Sequence, residues 1–136
     1  MTGNDIVRAV KALNPPEGEY IVFGSCPMAI AGIRESSDVD MMVSPALLAK
    51  FKRLGWQQVV KGDEARPYAW DVFEAHTEWN FGAYRPTLEQ LLSTATIVEG
   101  IPFVSLAEVK KWKMASGRPK DVIDVALIDK YLKQDR

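Results

Sequence analysis

Residues 23–40 read FGSCPMAIAGIRESSDVD, and this stretch decides the fold. Tyr20–Phe23 is apolar and predicts a strand, which ends at the turn Gly24-Ser25. Pro27 opens a short helix through Ala31 that closes near Gly32. A second strand follows, in which Val39, Met41 and Val43 alternate with Asp38, Asp40 and Met42. Side chains two apart on a strand share a face, so Asp38 and Asp40 point one way while the apolar set points into a core. A Gly-Ser turn lets backbone amides and a hydroxyl approach phosphate oxygens, and paired carboxylates can share a hard cation. Two carboxylates this close repel each other unless a cation lies between them. The combination implies phosphoryl or nucleotidyl transfer.

The rest of the chain sets bounds on that reading. Its 136 residues suffice for one domain with one core, so 1–136 is expected to be a single domain. A net charge of −1 gives no global pull toward nucleic acid or acidic membranes. Cys26 is the only cysteine, which excludes an internal disulfide and a cysteine metal cluster. With no signal-peptide pattern and no apolar run near 18 residues, the expectation is a cytoplasmic protein that does not engage a membrane.

Working outward, Ile6, Val7, Val10 and Leu13 predict a helix over 4–13, stopped by Asn14-Pro15-Pro16. Ser44-Pro45 starts another, with Leu47, Leu48, Phe51 and Leu54 as its buried face and Gly55 as its stop. Trp56–Val60 is a strand candidate, Lys61-Gly62-Asp63-Glu64 a solvent-facing turn, and Tyr68–Ala75 one further strand. Pro86-Thr87 begins a helix to about Ser93, and Glu99-Gly100 joins strands at Thr96–Val98 and Ile101–Val104. Ser105 and Glu108 form a capping box for a helix ending at Gly117, and Pro119 opens a last helix to about Leu132. The whole reads as α/β (α+β), a mixed sheet flanked by helices with a C-terminal helical pair.

Gly-Ser, a short helix, then Asp-x-Asp on a strand resembles the nucleotidyltransferase superfamily, which shares the polymerase-beta-type palm. The resemblance implies that Gly24 and Ser25 contact phosphate and that Asp38 and Asp40 are catalytic metal ligands. It also implies a third carboxylate from a neighbouring strand. Asp71, in Ala69-Trp70-Asp71-Val72-Phe73, has the hydrophobic setting of that residue and is preferred. Glu74 is the rival, facing the opposite way in a regular strand.

The segment Lys113–Asp124 resembles the C-terminal part of small bacterial nucleotidyltransferase-like proteins, among them abortive-infection toxin relatives and antibiotic-modifying enzymes. That implies Lys113, Arg118 and Lys120 as nucleotide-binding residues, neutralising a triphosphate or clamping it bidentately. The competing reading makes Asp121 a helix-dipole partner that ties down Arg118 or Lys113. His76, the only histidine, is expected to be exposed or satisfied in the core, and Cys26 to be a packing residue. No Gly-Lys follows Gly24-Ser25 as a P-loop requires, so a Walker-type ATPase is disfavoured.

The expected activity is transfer of a nucleoside monophosphate from a nucleoside triphosphate to an unidentified acceptor, with Mg²⁺ or Mn²⁺ as cofactor. The alternative is a silent nucleotide-binding or regulatory domain of the same fold. One small domain leaves little room for an acceptor module, so a homodimer or partner protein is also expected.

Overall fold

The computed structural model describes residues 1–62 and 65–134. Most helices begin where a short polar side chain can satisfy free backbone N–H groups. In α1 (Gly3–Leu13), the Thr2 hydroxyl accepts from the Asp5 amide and the Asp5 carboxylate accepts from the Thr2 amide. Asn14, at φ 50°, turns the chain out of that helix toward β1 (Tyr20–Val22). The short α2 (Cys26–Ile30) leads to β2 (Val39–Val43), and Ser44 caps α3 (Pro45–Arg53). Three strands follow: β3 (Gln57–Gln58), β4 (Tyr68–Trp70) and β5 (Phe73–His76). Thr87 and Gln90 cap α4 (Leu88–Ser93) reciprocally. The hairpin β6 (Thr96–Val98) and β7 (Ile101–Phe103) then precedes α5 (Leu106–Ser116) and α6 (Pro119–Gln134).

The strands form one mixed sheet in the order β3-β4-β5-β2-β1-β7-β6. β2 lies at its centre, antiparallel to β1 and parallel to β5. The fold is therefore α+β, a mixed sheet flanked by helices. Side-chain alternation divides the core between the sheet's two faces. On one face Val22, Val39, Met41, Val43, Phe73 and Ala75 pack with Ile6 and Val10 of α1 and Leu47 and Phe51 of α3. On the other, Ile21, Phe23 and Met42 pack with Trp79, Leu91 of α4, Val109 and Trp112 of α5, and Ile128 of α6. Asp40 and Glu74 belong by parity to this second face. No helix among the described residues is long and apolar enough to cross a membrane.

Several sequence expectations need correction. Tyr68–Ala75 is not one strand but the hairpin of β4 and β5, closed by the Trp70–Phe73 pair around Asp71-Val72. Leu54 is not buried; it is the helix-ending residue of α3 and 65% exposed. The strand expected over Trp56–Val60 shrinks to β3, because Trp56 is drawn inward to stack on Phe51 with ring centroids 3.8 Å apart. In the Ser105 cap only one half forms: the hydroxyl accepts from the Glu108 amide, while the Glu108 carboxylate accepts from the Tyr84 hydroxyl and Lys111. Of the turn expected at Lys61–Glu64, Asp63 and Glu64 lie outside the described residues, and the Lys61 amide donates to the Ala65 carbonyl.

Candidate active site

Gly24 follows β1 at φ +63°, a conformation that glycine adopts without steric cost. The missing side chain matters as much as the backbone. A Cβ at Gly24 would lie 2.4 Å from Asp40 Oδ2, so the Asp40 carboxylate occupies the space that glycine leaves. The Phe23 amide donates to the Asp40 carbonyl at 2.8 Å, which fixes the turn against β2. Asp38 sits half-buried just before β2, and Ser36 donates to its carbonyl. The expected juxtaposition of turn and acids is thus built from a direct contact between Gly24 and Asp40.

The parallel pairing of β2 with β5 brings in two more groups. Glu74 is directly opposite Asp40 in register, and His76 lies two residues further along the same face. His76 Nε2 is 3.2 Å from Asp40 Oδ1, and Lys61 Nζ is 2.7 Å from Glu74 Oε1. One ligand atom each from Asp40, Glu74 and His76 lie within 4.8 Å of one another. Asp38 completes the group electrostatically. Burial, then the charges of Asp40 and Glu74 and a hydrogen bond with Glu74, push its carboxyl up to about 6 against the partial relief from Lys61. Negative charge at this end of the sheet exceeds what one exposed lysine offsets.

Asp71 is not part of this group. It occupies the β4–β5 turn at φ 53°, a left-handed conformation that aspartate tolerates better than most residues. Its neighbours are Trp70, Phe73 and, from α1, Ala9, Ala12 and Leu13, which together line a cavity of about 220 Å³. That cavity opens beside the α1 side of the sheet, away from the face carrying Asp40 and Glu74. The third carboxylate brought to the pair is therefore Glu74. The expectation of Asp71 rested on one strand over residues 68–75, and the β4–β5 turn resets the parity.

The C-terminal charges are placed differently again. Lys113 is 3% exposed, with its ammonium 2.9 Å from Asp124 Oδ2, 3.5 Å from Asp121 Oδ1, and 4.2 Å from the Trp112 ring centre. Arg118 binds Asp121 through Nε at 2.8 Å. Arg34, from the loop between α2 and β2, donates from Nε and Nη2 to the two oxygens of Asp124 and from Nη2 to Ser25 Oγ. Burial opposes ionisation of Asp121 and Asp124, yet hydrogen bonds and charge from Arg118, Ser116 and Lys113 for the first, and from Arg34 and Lys113 for the second, hold both below the ordinary carboxylate value. Lys113 is thus occupied inside the protein, Arg118 is half-exposed with Asp121 as its partner, and Lys120 stands exposed on the first turn of α6. This network connects α5 and α6 to the Gly24-Ser25 turn through one arginine.

No family model and no curated protein matches this chain. Among solved structures, that of ANT(2")-Ia in complex with adenylyl-2"-tobramycin is similar over 95% of this chain and 86% of the other, with a TM-score of 0.50 and 14% identity. The chain shares the fold of that protein.

Within that fold the donor set suits a divalent metal. Asp40 and Glu74 offer oxygen atoms of the kind that Mg²⁺ and Mn²⁺ take, Asp38 lies beside them, and their repulsion, only partly offset by Lys61, is what a cation would relieve. Two contributors escaped the sequence reading. Arg34 is a single arginine in a loop with no local signal, and its role depends on α6, 90 residues away. His76 had a signal, since Glu74-x-His76 on a strand places both on one face. Cys26 is buried, and its thiol is pushed up to about 12, first by that burial, so it packs rather than reacts.

Proposed function

We propose that the chain is a divalent-cation-dependent nucleotidyltransferase, acting within one domain over 1–136. It would move a nucleoside monophosphate from a nucleoside triphosphate to an acceptor. The observation that carries this reading is the seating of the Asp40 carboxylate against Gly24, with Asp38 and Glu74 converging on it. Phosphate turn and carboxylates are then one site.

In this reading Asp38, Asp40 and Glu74 hold Mg²⁺ or Mn²⁺, which when bound neutralises triphosphate charge and activates the acceptor oxygen. Gly24 and Ser25 orient the phosphates, the Ser25 hydroxyl being set by the hydrogen bond from Arg34. The exposed edge of Arg34 adds positive charge beside that hydroxyl. Lys113 acts at one remove, by keeping Asp124, and so Arg34, in place, while Arg118 holds Asp121, the other carboxylate on Lys113. The similar structure carries an adenylyl group on tobramycin, so hydroxyl-bearing small molecules are the first acceptors to try.

The test is transfer of label from α-labelled nucleoside triphosphates, with pyrophosphate release, in Mg²⁺ or Mn²⁺. Asp38→Asn, Asp40→Asn and Glu74→Gln should each abolish transfer with the fold retained, while Asp71→Asn should leave it unchanged. Transfer that survives Asp40→Asn would sink the assignment. A second reading, a silent nucleotide-binding or regulatory domain, is favoured by one observation: Lys113 and Arg118 are both paired with aspartates of the protein itself. Tight, cation-dependent nucleotide binding without pyrophosphate release on any acceptor supports that reading.

A further inference from the structure

We propose that His76 is itself a ligand to the cation held by Asp40 and Glu74, making this a mixed carboxylate–imidazole centre selective for Mn²⁺ or Co²⁺ over Mg²⁺. The proposal rests on the reading of these carboxylates as a metal site and adds the ligand that sets its selectivity.

The geometry begins with strand parity. Glu74 and His76 are two apart on β5 and share a face, and the β2–β5 register sets Glu74 opposite Asp40. His76 Nε2 reaches Asp40 Oδ1 at 3.2 Å. Donors bound cis to one octahedral ion at about 2.1 Å lie about 3 Å apart, so this spacing is already that of two ligands of one ion. The Glu74 donor falls within 4.8 Å of the other two. The imidazole is held in place as well: its side chain is 11% exposed and its ring meets Trp79 edge to face at a centroid separation of 4.8 Å. Lys61, half-exposed on Glu74 Oε1, is the charge that a cation would displace or join.

The chemistry follows from ligand type. Mg²⁺ takes oxygen donors almost alone and gains little from a ring nitrogen. Imidazole raises affinity along the series from Mn²⁺ to Co²⁺ and beyond, so one nitrogen beside the two carboxylates shifts selectivity away from Mg²⁺. A purely structural His76 would instead donate its Nε2 proton to Asp40 and orient that carboxylate from outside the metal's coordination sphere. The two roles differ in one observable, a direct metal–nitrogen bond.

His76 is the only histidine in the sequence, so any imidazole coupling comes from it. The experiment uses the full untagged chain with Mn²⁺ and pulsed electron paramagnetic resonance to detect directly bound imidazole ¹⁴N. Calorimetric titrations of Mn²⁺ and Mg²⁺ follow on the wild type, His76→Gln and Asp40→Asn. The expected result is ¹⁴N coupling in the wild type and its loss in His76→Gln. Mn²⁺ affinity should then fall about tenfold or more while Mg²⁺ affinity changes far less. Asp40-dependent Mn²⁺ binding without ¹⁴N coupling, or an unchanged Mn²⁺-to-Mg²⁺ ratio in His76→Gln, overturns the role of His76 and leaves the carboxylate site standing. Absence of Mn²⁺ and Mg²⁺ binding to the wild type overturns the carboxylate site and this proposal together. The wild-type spectrum decides the matter even if a variant fails to fold.

Discussion

The two charged regions of this molecule differ in how their charges are balanced. Around Lys113, every buried charge meets an opposite one: Asp121 and Asp124 each touch two of Lys113, Arg118 and Arg34. Around Asp40, three carboxylates meet one half-exposed lysine and one histidine, and Asp38 is driven toward protonation. A balanced, buried cluster is costly to break at one partner, whereas an unbalanced one at a sheet end is what a cation would stabilise under the proposed function.

The contrast predicts unequal responses to mutation. The largest should come from Lys113→Met, which leaves Asp121 and Asp124 buried without their shared cation. Breaking such a network costs about 3–5 kcal/mol, readable from urea denaturation. Gly24→Ala should come next, at roughly 1–3 kcal/mol from the left-handed backbone and the collision with Asp40. It should also weaken Mn²⁺ binding, joining the turn to the carboxylates in one readout. Asp40→Asn should move stability by less than about 1 kcal/mol, or raise it, because it removes repulsion. Lys120→Ala should fall within about 0.5 kcal/mol, as for an exposed side chain. A Lys113→Met effect no larger than that of Lys120→Ala would erase the distinction.

Acid sharpens the same comparison. The carboxyls of Asp121 and Asp124 lie below their ordinary value of 3.8 in the folded chain. Their stabilising contribution is therefore complete above that value and fades as pH falls through their depressed folded values. Thermal melts of the wild type and Asp124→Asn should show a smaller acid loss in the variant.

Much of the fold was legible because its signals are local. Thr87 with Gln90 and Ser44 with Pro45 mark helix starts through side-chain bonds that span three residues. Gly100, at φ 80°, suits the hairpin turn that it forms with Glu99. What escaped depends on distant pairing. Trp70-Asp71-Val72-Phe73 lacks a glycine to announce a turn, so the hairpin emerges only from pairing of β4 with β5 and of β5 with β2. The choice of Glu74 over Asp71 and the arrival of His76 beside Asp40 follow from that register across 36 residues. Similarly, Lys113 lies on a helix face that only the packing of α5 on α6 reveals as buried.

Under the proposed function, the unbalanced carboxylates hold the cation through which a nucleotide binds. Calorimetry of nucleoside triphosphates with wild type and Asp40→Asn, each with and without Mn²⁺, tests it most directly. Binding to the wild type is expected only when the cation is present, and none to Asp40→Asn at retained fold. Equal binding to both proteins, or binding that ignores the cation, would contradict it.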